Sequence, residues 1–149
     1  MNEELYRILD REQLFISSKQ KRISAYLIDE LILSVIWLSV IWDAFTGVDS
    51  IEEKILLINS YVLEFMVLKI IYHTFFVFQY GASPGKILMK IQVLELSTLS
   101  SPGFLCAFNR ATFRIVSEAI FYMGFIWGLL DPARQAWHDK TARTVVIDV

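Results

Sequence analysis

The sequence predicts an all-α membrane protein with two transmembrane helices, a third membrane segment that either re-enters or spans, and a small cytoplasmic cap. Of its 149 residues 55% are hydrophobic, and the mean hydropathy of +0.48 is too apolar for an ordinary soluble domain. Two apolar stretches, 23–42 and 55–80, are each long enough to cross a hydrocarbon core of roughly 30 Å. Alternating patterns in 91–96 and 144–149 predict a short two-stranded sheet in the cap.

The charge and the reactive side chains argue against several classes of function. The net charge is only −2, so no overall basic field points to nucleic acid. The single cysteine cannot form an internal disulfide, and the two histidines, His73 and His138, lack the spacing of metal ligands. No nucleophile has the neighbours that its chemistry needs, and no nucleotide loop is present. We therefore expect neither an enzyme nor a bound cofactor or metal.

The N-terminal segment, residues 1–20, sets the orientation. Five Lys and Arg residues precede the first apolar stretch, whereas the loop before the second stretch has one, Lys54. The positive-inside rule therefore places the N-terminus in the cytoplasm. The segment is also predicted to be amphipathic, with an apolar face on the membrane interface. That face consists of Leu5, Ile8, Leu9 and Phe15.

The segment 81–103 begins with a turn motif and continues as a strand. Two glycines and a proline in Gly-Ala-Ser-Pro-Gly-Lys, 81–86, predict a tight turn before the strand at 91–96. A nucleotide-binding loop is not expected, because the gap between the glycines is too short and neither Ser nor Thr follows the lysine. The turn is instead predicted to direct Lys86 and Lys90 toward anionic lipid headgroups.

The third membrane segment, 104–131, is apolar but carries charges at steps of four, hence on one helical face. Its second half, 115–130, is short for an upright span, and a basic tail follows it. These properties favour a re-entrant segment bent near Gly124, and a plain third span is the alternative. The charges on the shared face are Arg110, Arg114 and Glu118.

The tail, 132–149, is predicted to form a short helix followed by a strand. The Asp-Pro pair at its start is typical of a helix N-terminus, so a helix over 133–138 is expected. Residues 144–149 are predicted to pair with the strand of the preceding segment. His138 and Asp139 would then lie near the inner ends of the membrane helices.

Three motifs carry a resemblance to a known family. They are Lys21-Arg22-x-x-Ala25-Tyr-x-Ile-Asp29, Gly-x-Ser-Pro-Gly-Lys and Leu-Leu-Asp131-x-x-Arg134-Gln-Ala-Trp-His138-Asp139-Lys-x-Ala-x-Thr144-Val-Val. From about Lys21 to its C-terminus the chain resembles the RDD family of small bacterial membrane proteins. The resemblance implies a multi-pass protein of the inner membrane, of a family sometimes suspected of transporting small solutes or ions. The arginine and two aspartates of the family name correspond to Arg22, Asp29 and Asp139.

One position departs from the family pattern. Similar proteins usually have Ala-Gly-Thr where this chain has Ala142-Arg143-Thr144. The loss of the glycine argues against a left-handed turn at this point, since glycine adopts that conformation at little cost.

The charged residues predict a network that connects different segments. An ionised Asp29 inside an apolar helix costs roughly 3 kcal/mol or more unless it has a partner, a proton or a water path. Arg22 stands about 10.5 Å from it along the helix axis, so the two are not expected to pair. Asp29 is instead expected to meet Arg110 or Arg114, and Arg22 to contact an aspartate of the tail. The candidates for that contact are Asp131 and Asp139.

Three functional hypotheses follow from this network. In the first, the Arg and Asp pairs lock the helices or an oligomer. In the second, an oligomer exchanges a small cation for a proton at Asp29, with polar residues of the second helix contributing. In the third, the protein docks a protein partner or anionic lipid. A homo-oligomer is expected for transport, because two or three helices cannot enclose a solute path alone. The polar residues of the second helix are Glu64, Lys69 and His73.

Overall fold

The structure of the protein, a computed structural model, describes residues 2–149. The architecture is mostly helical with one two-stranded sheet, so the predicted fold class is confirmed. The elements are α1 Asn2–Arg11, α2 Lys19–Thr46, α3 Ile51–Ser60, α4 Val62–Tyr80, α5 Pro84–Leu88, β1 Ile91–Glu95, α6 Phe104–Ala119, α7 Met123–Leu130, α8 Trp137–Thr141 and β2 Thr144–Asp148.

Two helices, α2 and α4, are long and apolar enough to cross a membrane. The first is longer than the predicted 23–42, because the Ser18 side chain accepts a hydrogen bond from the Lys21 amide and starts the helix at Lys19. The predicted second helix, 55–80, is wrong as a single element. Ser50 caps a separate helix, α3, and the chain breaks at Tyr61 before α4 begins.

The third membrane segment is divided into α6 and α7, whose axes differ by 103°. The bend lies at Phe121 and Tyr122, which both adopt left-handed backbone angles, with φ of 49° and 60°. The predicted bend near Gly124 is therefore a few residues too late. Gly124 lets α7 pack closely instead, since a Cβ there would stand 2.5 Å from the Ser117 hydroxyl oxygen. The segment fits either a broken span or a re-entrant loop.

The cap consists of α1, α5, β1, α8, β2 and their connections. The two strands pair antiparallel with Val93 opposite Val146, which confirms the predicted pairing. The chain before α2 joins the same sheet, because Ile16 bridges to Ile147 and the Ser17 amide donates to the Val146 carbonyl at 3.0 Å. The segments before α2, after α4 and after α7 thus meet in one cap. The segment of α6 and α7 therefore starts and ends next to elements of the cap.

The apolar residues of α1 pack into the cap. Leu5 and Leu9 are buried against Leu94, Val145 and Ile147 of the sheet region. The expectation that they lie on the membrane interface is wrong, because the apolar faces of the helix and the sheet bury each other. Phe15, the last residue of the predicted interfacial face, lies outside this core and is 74% exposed.

The tail forms its helix later than predicted. The expected helix over 133–138 is replaced by α8, which begins at Trp137. The Asp131 carboxylate accepts a hydrogen bond from the Gln135 amide at 3.2 Å and so closes a turn rather than starting a helix. Arg134 within that turn has a φ of 52°, which a helix does not allow.

The chain makes a left-handed turn at Arg143 even though it lacks the usual glycine. Arg143 has a φ of 50°, so the expectation drawn from the missing glycine is wrong. The carbonyl of Arg143 accepts a hydrogen bond from the Leu96 amide at 2.9 Å, which holds the turn at the end of the sheet. Pairing of the strands therefore fixes a backbone conformation that is unfavourable for arginine.

We predict that Arg143→Gly stabilises the protein by about 1 kcal/mol, because it relieves the left-handed strain of an L-residue. Arg143 is exposed and its side chain makes no hydrogen bond or ion pair within residues 2–149, so no contact is lost. Thermal unfolding in detergent measures the change. As a matched control, Arg7→Gly removes an exposed arginine from the middle of α1 and should destabilise by about 0.5–1 kcal/mol. A less stable Arg143→Gly protein would contradict the prediction.

Candidate functional site

Asp139 lies at the junction between the cap and the membrane helices. It is 1% exposed and accepts hydrogen bonds from Nη1 of Arg110 on one carboxylate oxygen and from the Ala136 amide, at 3.1 Å, on the other. Nη1 of Arg22 stands 3.4 Å from the second oxygen. Arg110 also donates to the hydroxyl of Thr144. A single aspartate of α8 therefore connects α2, α6 and the sheet.

Arg22 occupies the space between α2 and the cap. Its Nε donates to the Ser17 hydroxyl at 2.7 Å, and its Nη2 donates to the Val146 carbonyl at 3.1 Å. Its Nη1 donates to the carbonyl of Arg134. Of the two aspartates expected as its partners, Asp139 is the one it contacts. These contacts place the arginine among backbone carbonyls of the cap.

The electrostatics keep Asp139 ionised. Burial alone would raise its pKa, but the guanidinium groups of Arg110 and Arg22 outweigh burial and hold the pKa well below its usual range. Stability from this contact is therefore present above the ordinary carboxyl pKa and is lost as the pH falls through the lower folded value. Asp131, the other candidate for Arg22, pairs with Lys140 instead, at 2.5 Å.

Asp29 is fully buried and is held by neutral donors. Its carboxylate accepts hydrogen bonds from the Tyr72 hydroxyl at 3.1 Å, the Ser83 hydroxyl at 2.5 Å and the Gly85 amide at 2.8 Å. The expected pairing with an arginine of the third segment is wrong. The turn after α4 brings two donors directly to Asp29, and the arginines of α6 pair with other carboxylates.

A second group of charges joins α2, α4 and α6. Nζ of Lys69 stands 2.8 Å from Glu30 and 2.7 Å from Glu118. Arg114 lies 3.5 Å from Glu30 and 3.4 Å from Glu118. Both carboxylates that pair with Lys69 therefore belong to the same chain as the lysine. Glu64, by contrast, is exposed at the start of α4.

A cavity of about 210 Å³ lies between α2, α6, α7 and the cap helices α5 and α8. Its polar floor is formed by buried or half-buried charged and imidazole side chains, and its apolar rim by exposed side chains of α2 and α7. The polar floor consists of Asp29, Lys86, Arg110, Arg114 and His138. The apolar rim consists of Ile23, Tyr122, Ile126 and Leu129.

The family model of the RDD family matches residues 17–143. The chain belongs to the RDD family. Comparisons with curated proteins and with solved structures find no match. The matched range contains the arginine and the two aspartates that the resemblance singled out: Arg22, Asp29 and Asp139.

Lys86 of this RDD protein lies in the polar floor, which differs from its expected place at the membrane surface. Helix α5 packs on α2 through the hydrogen bond from Gly85 to Asp29, and this contact turns the next residue inward. Burial, together with the nearby charges of Arg110 and Arg114, lowers the pKa of Lys86 to about 7. Lys90 is exposed, and its contact with lipid headgroups stays a prediction.

Both histidines are buried and have ring nitrogens without hydrogen-bond partners in the described structure. These atoms are Nδ1 of His138 and both nitrogens of His73. Burial lowers the pKa of His138 to about 3, so its ring is neutral at physiological pH. Within residues 2–149, no three His, Cys, Asp or Glu side chains are grouped so that they could hold a metal ion.

The roles of Glu30, Ser83 and Gly85 in this RDD protein were not predicted from the sequence. The signal for Glu30 was its place beside Asp29 within the same apolar helix. Ser83 and Gly85 belong to the turn motif, whose donors could have been considered for a buried carboxylate. A Cβ on Gly85 would overlap the Ala25 carbonyl oxygen and stand 2.9 Å from the Asp29 carboxylate, so only glycine allows this contact.

We predict that Gly85→Ala destabilises the protein by about 1–3 kcal/mol, because the added methyl group must displace backbone atoms of α2. Thermal unfolding in detergent measures the loss. Gly103→Ala is the matched control, since a Cβ there meets no atom within 4 Å and the backbone angles suit alanine. Equal stabilities of the two variants would show that α5 does not need this close approach.

Proposed function

We propose that this RDD protein is a membrane-embedded module in which Arg and Asp pairs lock the cap onto the membrane helices. The observation that supports the proposal is the position of Asp139, which engages Arg110 of α6 and Arg22 of α2 at once. Asp29 adds a second lock by fixing α5 against α2 through Gly85. Asp29 and Asp139, the two aspartates to which the family name refers, therefore each connect the cap to a membrane helix.

A buried charge pair acts as a lock because its members depend on each other. Such a pair often adds little stability relative to well-packed apolar residues, since both charges lose their hydration. Removal of one partner is much more costly, about 3–5 kcal/mol, because the other charge stays buried without compensation. Arrangements of the helices that separate the partners carry the same cost, so the pair favours one arrangement of cap and helices.

We predict that Asp139→Asn and Arg110→Gln each destabilise the protein by about 3–5 kcal/mol. The double variant should lose clearly less than the two single losses together, because each single change removes the same contact. A double-mutant cycle of thermal unfolding in detergent measures this coupling. The control is Asp148→Asn at the half-exposed pair with Lys21, where the loss should stay within about 1 kcal/mol. Additive losses at Asp139 and Arg110 would contradict the lock.

A second candidate function is the exchange of a small cation for a proton at Asp29. The observation in its favour is that Asp29 lines the cavity and its hydrogen-bond donors are all neutral. A carboxylate in this setting can gain a proton or a cation without first breaking an ion pair. The single chain provides walls on only some sides of the cavity, so this function includes a homo-oligomer.

We predict for this candidate that protein in liposomes carries protons in response to a cation gradient and that Asp29→Asn abolishes the flux. A pH-sensitive dye inside the liposomes measures it. Glu52→Gln is the control, since Glu52 is an exposed carboxylate of α3 outside the polar residues assigned to the exchange, and it should leave the flux unchanged. Size-exclusion profiles establish that both variants are folded. Flux that persists in Asp29→Asn would exclude this carboxylate as the exchange site.

We also propose that the N-terminus and the cap face the cytoplasm of a bacterial inner membrane. The excess of Lys and Arg before α2 supports this orientation through the positive-inside rule. The shared cap adds support, because the N-terminal segment, the connection after α4 and the tail all contribute to it. Contact of this side with anionic lipid headgroups is part of the same proposal.

A further inference from the structure

The polar floor of the cavity has a cation that makes no direct ion pair. Asp139 is engaged by two arginines, and Arg114 pairs with two glutamates. Asp29 is engaged by hydroxyl and amide donors. Lys86 makes no ion pair with any residue in the range 2–149. The ammonium of Lys86 is therefore free to contact a ligand.

Hydrogen-bond donors on the polar floor are also left for a ligand. The hydrogen bonds of Arg110 to described residues use only its Nη1. His138 is 7% exposed, lines the cavity and has no hydrogen-bond partner for Nδ1 within the described residues, so its neutral ring can donate to a ligand in the tautomer that carries the proton on Nδ1. Together with the ammonium of Lys86, these groups match an anion with several acceptor oxygens.

The size and the rim of the cavity indicate which anion would fit. Its volume of about 210 Å³ is below the roughly 300–1,000 Å³ of pockets that enclose a whole small molecule, so it suits a headgroup. The apolar rim is exposed in a protein whose neighbouring helices are fit to cross a membrane. Apolar chains attached to the headgroup could leave across this rim into the hydrocarbon of the bilayer.

We propose that the cavity binds the phosphate headgroup of an anionic phospholipid, with the phosphate against Lys86, Arg110 and His138 and the acyl chains across the apolar rim. This goes beyond the proposed lock, which needs no ligand. A lipid is favoured over a soluble phosphate because the exposed rim offers apolar contact that only a lipid uses. The lock and the site are separable, since Lys86 takes no part in the contacts of Asp139.

In the lipid-free protein, the charge of Lys86 should lower the stability of the fold. The low pKa of this lysine means that its charge is unfavourable in the empty cavity below about pH 7. Lys86→Met removes the charge and keeps most of the length of the side chain, so it should raise the melting temperature of the lipid-free protein and weaken lipid binding. A structural lysine would behave in the opposite way. A lower melting temperature of Lys86→Met would therefore overturn the proposal.

The test is a titration of delipidated protein in detergent with phosphatidylglycerol, read by native mass spectrometry. Lys86→Gln should weaken binding about tenfold or more, since it replaces a charge-assisted contact to phosphate. Lys90→Gln is the matched control, because Lys90 is an exposed lysine four residues away and lies outside this cavity; its binding should equal that of the unchanged protein. Equal binding by Lys86→Gln and the unchanged protein would overturn the proposal.

Two further probes separate a lipid from other anions. Phosphatidylcholine should bind much more weakly than phosphatidylglycerol, since its choline would face the cations of the polar floor. Inorganic sulfate should compete only weakly, because it makes no contact with the apolar rim. Ile126→Asn should weaken binding of phosphatidylglycerol without changing that of sulfate, because it removes apolar contact and adds no charge. Equal binding of the two lipids, sulfate binding as tight as lipid, or an Ile126→Asn protein with normal lipid binding would each overturn the proposal.

The pH dependence provides an independent readout. Lys86 is charged below its pKa of about 7, so binding of phosphatidylglycerol should be stronger at about pH 6 than at about pH 8.5. The lipid phosphodiester stays ionised throughout this range. The same binding at both pH values would count against Lys86 as the contact. The groups that face Lys86 are Asp29 of α2, His73 of α4, Arg110 and Arg114 of α6, and His138 and Asp139 of α8.

Discussion

The contact between Asp139 and the guanidinium groups of Arg110 and Arg22 holds the cap on the membrane helices. Neither the aspartate nor Arg110 has access to water that could replace its partner. The hydrogen bonds of Arg110 to Thr144 and of Arg22 to Val146 extend the contact to the start and the middle of β2. The position of the sheet, and with it the packing of α1, therefore depends on one carboxylate remaining ionised.

Asp29 and Asp139 are both buried carboxylates, and their negative charges are stabilised by different kinds of partner. Asp139 is balanced by full charges, which bind strongly and leave it ionised. Asp29 is balanced by hydroxyl and amide dipoles, which come from Tyr72, Ser83 and Gly85. Because the second solution uses no cation, the positive charges that border the cavity are not consumed at Asp29. The choice of neutral partners thus contributes to the electrostatics of the polar floor.

Elements and site residues differ in how far the sequence predicts them. Apolar length predicted α2 and most of α4, and period-two alternation predicted the pairing of β1 with β2, because these patterns act within one segment. The partner of Asp29 was missed, because spacing along a helix shows which face a residue occupies and not which loop returns to it. The same limit applies to Lys86, whose direction depends on the close packing of Gly85 on α2. At Arg143, strand pairing overrides local preference, so a local rule gave the wrong answer.

The buried charges connect the lock at Asp139 with the cavity beside it. The cations near the cavity outnumber the carboxylates by one, and the groups involved are Arg22, Lys69, Lys86, Arg110 and Arg114 against Asp29, Glu30, Glu118 and Asp139. A surplus charge that served only the fold would be expected beside a carboxylate, since burying it alone is unfavourable. The other four cations share three carboxylates, which are Asp139, Glu30 and Glu118, whereas Lys86 is in no ion pair with a described residue and is the cation free to contact a ligand. The lock thus holds the paired charges in place, and the unpaired ammonium of Lys86 faces the cavity in which an anion fits.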